Sequence, residues 1–314
     1  MTPDEAIDRG FLDRVGALAA GPPRDAALPL PSAASLTGAA AMEMFGSQLA
    51  SRHLDLAARV LRGRGRGYYT IGSAGHEANA FVAGALRPTD PALLHYRSGA
   101  FFAERARQAG GVDAVRDVLL GLVAAAEEPI AGGRHKVFGS VPLNVIPQTS
   151  TIGSHLPRAV GIAFAIDRAA RLGVPARWPA DAVVVCSFGD ASANHSTVAG
   201  AINTACHCAY QRLPLPLLLV CEDNGLGISV RTPPGWIEAA YGHRPGLRYF
   251  AADGCDPVGV YETAGAAAAW VREHRRPAFL HLRVVRLMGH AGSDAEAAYR
   301  TPAELAAIAA GNAW

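Results

Sequence analysis

The fold can be inferred first from the segment Ala182-Val183-Val184-Val185-Cys186-Ser187-Phe188-Gly189-Asp190-Ala191-Ser192-Ala193-Asn194. Its apolar first half is typical of a strand buried on both faces, and its second half changes abruptly to small and polar residues. A second stretch has the same design, because the apolar run 215–221 is followed by Glu222-Asp223-Asn224-Gly225. Each run therefore ends in oxygen-bearing side chains, which we expect to meet at one edge of a sheet.

Strand and helix patterns alternate along most of the chain. Apolar runs predict strands at 93–96, 182–188, 215–221, 248–252 and 278–286. Helical periodicity predicts helices at 38–62, 99–109, 112–125, 154–172, 193–210 and 257–275, with a further helix opening at 72–75. The alternation predicts an α/β fold in which a parallel sheet carries helices on both faces. We expect residues 1–35 to form an N-terminal arm and residues 36–314 to form the main domain.

The composition disfavours nucleic-acid-binding, membrane-spanning and secreted proteins. The chain has 314 residues, is 50% hydrophobic and carries a net charge of +2, which indicates a large core without general attraction to nucleic acid or anionic membranes. No apolar run reaches the length of a membrane span, and the first residues do not resemble a secretory signal. Five cysteines, two of them in predicted core strands, favour reduced thiols and a cytoplasmic protein.

Cys206-His207-Cys208 is the one segment that suggests zinc. Zinc needs about four ligands, and no second Cys/His pair with matching spacing follows. We therefore interpret these cysteines as small apolar residues of a helix.

Asp190 and Asn224 are candidate ligands of a magnesium ion. They lie 34 positions apart, which leaves room for one crossover helix between neighbouring strands. Magnesium takes oxygen ligands from one or two side chains together with phosphates and water, and the bend after Asn224 can add the Leu226 carbonyl. A helix beginning near Ser192 would offer peptide N–H groups to a diphosphate. On this evidence alone, both side chains could equally cap turns at the ends of core strands.

A resemblance adds to this interpretation. Gly189-Asp190 with the later Asn224 resembles the thiamine diphosphate motif, and five further segments resemble, in order, the α subunit of the decarboxylating component of 2-oxo acid dehydrogenase complexes. The likeness runs from about residue 66 to 304 and is nearer the branched-chain than the pyruvate type. The segments are Gly75-His76-Glu77-Ala78, Tyr96-Arg97-Ser98-Gly99, Leu156-Pro157-Arg158-Ala159-Val160-Gly161, 222–229, and 286–294 followed by Tyr299-Arg300.

The resemblance implies a role for each matching residue. Asp190, Asn224 and the Leu226 carbonyl would hold Mg²⁺. His290 would be the catalytic residue, in contact with the phosphates and the substrate. Thiamine diphosphate would be bound by Tyr96, Arg97, Ser150, Ile152, Gly189, Asp190, Ala191, Ser192, Asn224, Leu226, Arg286 and His290.

The implied activity is oxidative decarboxylation of a 2-oxo acid with acyl transfer to lipoamide. The family takes the glutamate that activates the cofactor from a β subunit, so the resemblance implies an α₂β₂ assembly, a lipoyl-bearing acyltransferase as a further partner, and no turnover by this chain alone. Two alternatives remain: a transketolase-like thiamine enzyme, and a non-catalytic scaffold that has kept the fold. A dinucleotide binder is disfavoured, because no Gly-x-Gly-x-x-Gly opens a strand-to-helix turn.

The sequence departs from the family pattern in several places. Ala191 replaces the second glycine of the motif, and extra residues at 208–216 lengthen the crossover between Asp190 and Asn224. Ala291 stands where some relatives carry a regulated serine. His135 and Lys136 receive no role, because their segment aligns poorly. The chain stops soon after Tyr299-Arg300, as expected of a truncated product or of the front part of a fused α–β polypeptide.

Overall fold

A computed structural model describes residues 3–31, 33, 35–134, 137–149 and 151–310. Its helices are α1 (Pro3–Ala17), α2 (Gly38–Gly63), α3 (Asn79–Gly84), α4 (Gly99–Ala109), α5 (Ala114–Leu122), α6 (Leu156–Leu172), α7 (Ser196–Tyr210), α8 (Trp236–Tyr241), α9 (Pro257–His274) and α10 (Pro302–Ala310). Its strands are β1 (Ala92–Leu93), β2 (Val184–Gly189), β3 (Leu217–Asp223), β4 (Leu226–Gly227), β5 (Val230–Arg231), β6 (Arg248–Asp253) and β7 (Ala278–Arg283).

Five strands form one parallel sheet in the order β1-β2-β3-β7-β6. In its centre Gly189 of β2 pairs with Glu222 of β3, so Asp190 and Asp223 come next to each other where the two strands end. The short strands β4 and β5 form an antiparallel hairpin directly after β3. The predicted parallel sheet is therefore confirmed, and the two polar segments meet at its carboxyl edge.

The apolar strands serve two separate cores because alternate side chains point to opposite faces. Val185 and Leu218 pack on one face with helices α3, α4 and α9. Cys186 and Leu219 pack on the other face with α6, α7 and α8. Burying each such aliphatic side chain contributes about 1.5–3 kcal/mol, which explains why most positions of these strands are apolar. Helices on both faces of the sheet are thus confirmed.

Element ends differ from the sequence-based expectation where tertiary contacts decide them. The helix expected to open at 72–75 begins at Asn79, because the chain first makes a turn in which Gly75 has φ of +94° and its N–H donates to Glu77. The last strand stops at Arg283 instead of 286, because its neighbours β3 and β6 end at Asp223 and Asp253 in the same register.

The N-terminal segment packs on the main domain in two places, since Leu30 and Ala33 contact the main core and α1 contacts a smaller apolar cluster. Helix α1 contacts α10, and Ile7 is buried against Leu287 and Met288. These two residues immediately precede Gly289 and His290, so the expected arm supports the segment that carries the candidate catalytic histidine. The boundary near residue 35 stays a prediction.

The cysteines behave as the composition suggests. All five are free thiols, and Cys206 and Cys208 are buried on α7. Within the described ranges, no cluster of three or more His, Cys, Asp and Glu side chains is arranged to hold a metal. No described helix combines the length and apolar character that crossing a bilayer requires.

Candidate functional site

A cavity of about 380 Å³ opens at the carboxyl edge of the sheet, above the ends of β2 and β3. It brings together ten residues named from the sequence, which are Tyr96, Arg97, Ile152, Gly189, Asp190, Ala191, Ser192, Asn224, Leu226 and His290. His95, Asn194, His195, Gly227 and Ile228 complete its wall. Ligands in open α/β sheets bind at this edge, so the cavity is the candidate functional site.

Asp190 lies at the floor of the cavity and is only 2% exposed. One carboxylate oxygen accepts a hydrogen bond from the Asn224 peptide N–H at 3.4 Å, and the other accepts from the Thr232 hydroxyl at 2.5 Å. Burial raises the pKa of this carboxyl; the Thr232 hydrogen bond opposes the rise, and the nearby Asp223 carboxyl adds to it. A bound cation would relieve both the desolvation and the repulsion between the carboxylates.

Asn224 lines the same cavity as Asp190 and carries a neutral side-chain oxygen. Its Oδ1 accepts a hydrogen bond from the Leu226 N–H at 3.0 Å, and its Nδ2 donates to His76 at 3.1 Å. An amide oxygen has two lone pairs, so one remains for a ligand.

Arg97 and His290 form a polar pair on the cavity wall. The Arg97 guanidinium, 3% exposed, donates to the Gly72 carbonyl at 2.5 Å and to His290 Nδ1 at 3.0 Å. Burial lowers the pKa of His290 to about 4, and the positive charges of Arg97 and Arg286 act in the same direction. The imidazole is therefore neutral at pH 7. Because its Nδ1 accepts from arginine, its proton lies on Nε2, where it is a hydrogen-bond donor.

Tyr96 packs next to this pair. The guanidinium carbon of Arg97 lies 5.2 Å from the centre of the Tyr96 ring, and the His290 ring meets that ring edge-on at 6.0 Å. The three side chains fix one another, so the cationic group of Arg97 is held beside the cavity.

Arg286 does not reach the cavity wall. It is 1% exposed, and its guanidinium donates to the Ile228 carbonyl at 2.6 Å and to the Tyr299 hydroxyl at 2.5 Å. Ile228 has φ of +60°, a strained conformation for a β-branched residue. Arg286 thus holds the hairpin in place from the side away from the cavity. Direct contact between Arg286 and a cofactor stays a prediction.

Three other residues named from the sequence lie outside the described residues. These are Ser150, expected to line the cofactor, and His135 and Lys136, which have no assigned role. Ile152, expected beside Ser150, does line the cavity and is 39% exposed.

A small side cavity of about 20 Å³ adjoins the main one behind His95 and Tyr96. Three residues on its wall each have a buried polar atom without a partner, namely His95 Nδ1, Gln148 Oε1 and His155 Nδ1. His155 Nε2 donates to the Ser187 carbonyl at 2.8 Å, so its Nδ1 is an acceptor. The volume and the polar lining suit one hydrogen-bond donor of the size of a water molecule.

The buried histidine His155 predicts a pH dependence of stability. Burial lowers the pKa of His155 to about 4 from an ordinary value of 6.5. The unfolded chain takes up this proton near pH 6.5 while the folded chain does not, so stability is lost as pH falls from 6.5 to 4, by at most about 3 kcal/mol. Urea midpoints between pH 7 and 4 should fall less steeply in His155→Asn than in the wild type. Equal slopes would contradict this assignment.

Sequence reasoning missed several residues that shape the site. His76 stood out only as part of a motif, and Glu222 only as the start of the polar segment after β3. Thr232 carried no local signal, because it reaches Asp190 only through the β4–β5 hairpin. His95 offered one signal, since it directly precedes Tyr96-Arg97.

Comparison with known proteins gives one family. The family model described as "Dehydrogenase E1 component" matches residues 46–313. The chain is 27% identical over 279 residues to the 2-oxoisovalerate dehydrogenase subunit alpha of Bacillus subtilis, covering 85% of this chain and 77% of that protein. It is 28% identical over 224 residues to the somatic, mitochondrial pyruvate dehydrogenase E1 component subunit alpha of Rattus norvegicus, covering 70% of this chain and 51% of that protein, so the chain spans about half the length of the rat relative.

Solved structures show a related fold. A transketolase from Leishmania mexicana superposes with a TM-score of 0.52 at 15% identity, covering 85% of this chain and 44% of that chain. A transketolase from Campylobacter jejuni gives a TM-score of 0.52 at 16% identity, covering 76% of this chain and 37% of that chain. At these identities the likeness concerns the fold alone.

Proposed function

Because this chain belongs to the dehydrogenase E1 component family, we propose that it is the α subunit of a 2-oxo acid dehydrogenase and binds thiamine diphosphate through Mg²⁺. One observation supports the proposal: the buried Asp190 carboxylate accepts a hydrogen bond from the Asn224 backbone N–H, and both residues line one cavity at the carboxyl edge of the sheet. The transketolase-like alternative has support from the fold only.

The donor set of the cavity fits a magnesium diphosphate. Magnesium is usually held by one or two carboxylates, and phosphate and water oxygens fill the remaining positions. Asp190 would supply the charged oxygen, and Asn224 and the Leu226 carbonyl would supply neutral ones. The described residues offer no cluster of three ionisable ligands, and this pattern agrees with a site that the ligand's phosphates complete.

The other residues of the wall have roles that follow from their chemistry. Arg97 would offer charge and hydrogen bonds to the diphosphate, and Tyr96 would keep its guanidinium in place. His290, neutral with its proton on Nε2, would donate a hydrogen bond to a phosphate or substrate oxygen. When bound, thiamine diphosphate supplies the electron-accepting ring that allows a 2-oxo acid to lose carbon dioxide.

A β subunit is proposed because the described wall offers one carboxylate only, Asp190. That carboxylate is committed to the metal, so the acid that activates the cofactor would come from a partner. Ile152 and Ile228 leave 39% and 59% of their surfaces exposed at the cavity, as expected of apolar residues that a partner covers. We propose an α₂β₂ assembly, acyl transfer to a lipoyl-bearing acyltransferase, and a cytoplasmic location, which the five free thiols favour.

The substrate is proposed to be a branched-chain 2-oxo acid. Identities of 27% and 28% to the 2-oxoisovalerate and pyruvate enzymes do not separate the two types. The preference therefore depends on the motifs of the core region alone.

The proposed function is tested by measuring whether cofactor binding and decarboxylation depend on a β-type partner. Calorimetry should detect binding of thiamine diphosphate that requires Mg²⁺, weakly for this chain alone and more tightly for its complex with a β-type chain. Carbon dioxide should be released from 2-oxo acids by the complex and not by either chain separately. Decarboxylation by this chain without a partner would contradict the proposal, and so would a complex that binds no thiamine diphosphate.

A further inference from the structure

A buried chain of hydrogen bonds connects β3 to the candidate magnesium ligand. His76 is 1% exposed, and its Nδ1 lies 2.5 Å from a carboxylate oxygen of Glu222, itself 1% exposed. The other ring nitrogen, Nε2, lies 3.1 Å from Nδ2 of Asn224. The histidine is therefore inserted between a buried carboxylate and the amide of Asn224.

The chemistry of the three groups allows one arrangement of protons. The Asn224 NH₂ group can only donate, so Nε2 of His76 is the acceptor of that contact, and the ring proton lies on Nδ1, where it faces the Glu222 carboxylate. The Leu226 N–H, which can only donate, faces the other end of the amide at 3.0 Å and independently requires an oxygen there.

We propose that His76 is a positioning residue, which fixes the amide of Asn224 so that its oxygen, and not its NH₂ group, is available to Mg²⁺. Glu222 acts one step earlier, because it selects the imidazole tautomer. This inference rests on the proposed function, since it assigns His76 to the magnesium site. Neither His76 nor Glu222 lines the cavity, so neither touches the ligand.

The tautomer can be reversed without changing the shape of the site by Glu222→Gln. The Asn79 Nδ2 donates to Glu222 Oε1 at 3.4 Å, which favours the amide oxygen of the new glutamine on that side and places its NH₂ group against His76. The imidazole proton then moves to Nε2, where it opposes the Asn224 NH₂ group. We expect the affinity for thiamine diphosphate with Mg²⁺ to fall about tenfold or more, because one buried donor loses its acceptor.

A second substitution should restore binding. In Glu222→Gln/Asn224→Asp, the new carboxylate accepts from His76 Nε2–H and from the Leu226 N–H, and it still offers an oxygen to the metal. A loss in Glu222→Gln with recovery in the double variant is not expected of a merely structural contact.

The measurements use the chain together with its β-type partner. Calorimetry gives the affinity for thiamine diphosphate with Mg²⁺, and urea midpoints check that each variant folds. Nitrogen-15 shifts of the His76 ring, assigned with His76→Gln, report the tautomer, which should be Nδ1–H in the wild type and Nε2–H in Glu222→Gln.

Two substitutions of His76, one polar and one apolar, test the same role if Glu222→Gln does not fold. Gln in His76→Gln can donate to Glu222 and accept from Asn224, so affinity should stay within about threefold of the wild type. His76→Leu fills a similar volume without polar atoms and should lose about tenfold or more.

The outcomes separate the two claims. A wild-type complex without magnesium-dependent binding would overturn the proposed function and this role of His76 with it. A wild type that binds, with Glu222→Gln or His76→Leu binding equally well, would overturn the role of His76 alone. An Nε2–H tautomer in the wild type would do the same.

Discussion

Asp190→Asn should abolish magnesium-dependent binding of thiamine diphosphate, weakening it by about a hundredfold or more. The substitution removes the one charged oxygen that the described wall offers to the metal, while the shape of the side chain and its hydrogen bond from Thr232 are retained. Calorimetric titration of the α–β complex with and without Mg²⁺ measures the effect. If the wild-type complex binds only with Mg²⁺, as proposed, the variant should bind equally poorly in both titrations.

Stability supplies the control for this variant. Burial raises the pKa of Asp190, and the neighbouring Asp223 carboxyl repels it, so a neutral side chain should leave the urea midpoint unchanged or raise it. Asp253→Asn is the matched substitution, because Asp253 also ends a strand at this edge of the sheet but is exposed and outside the cavity. If Asp190→Asn keeps the wild-type affinity, or if Asp253→Asn loses it, the assignment of the metal ligand is wrong.

Gly75→Ala should be the most destabilising small substitution in the chain, costing about 4 kcal/mol or more. Gly75 has φ of +94°, and a methyl group on its Cα would lie 1.6 Å from the carbonyl oxygen of Val285. Neither backbone segment can give way freely, because the Leu287 N–H donates to the adjacent Ala74 carbonyl. The clash would separate the turn at 73–78 from the segment leading to His290.

Gly161→Ala is the comparison for this prediction. Gly161 lies on an exposed turn of α6, where an added methyl group meets nothing within 4 Å. Alanine there should stabilise the chain by about 0.5–1 kcal/mol through helix propensity. Urea unfolding of both variants measures the difference, and a Gly75→Ala midpoint close to that of the wild type would show that the described turn is incorrect.

The strand ends could be predicted from the sequence because local pattern and topology agree there. A largely apolar run such as 182–188 indicates a strand buried on both faces, and parallel strands place their carboxyl ends at one edge. Asp190 and Asn224 could therefore be paired from the residue pattern alone. Their neighbour Asp223 follows from the same register.

The side chains that hold the cavity residues from behind could not be predicted, because they depend on contacts between distant segments. His76 is 148 positions from Asn224, and Thr232 reaches Asp190 only after the hairpin folds back. The burial of Arg286 behind Ile228 could not be predicted either, because its motif gives no sign of that packing. The start of α3 was misplaced because Gly75 adopts a turn conformation that periodicity does not reveal.

A crystal structure of the α–β complex with Mg²⁺ and thiamine diphosphate would locate the metal and the diphosphate. We expect a metal about 2.0–2.1 Å from an Asp190 carboxylate oxygen and from the Asn224 amide oxygen, with the diphosphate beside Arg97. A diphosphate bound elsewhere, or a metal that neither side chain touches, would contradict the proposed site.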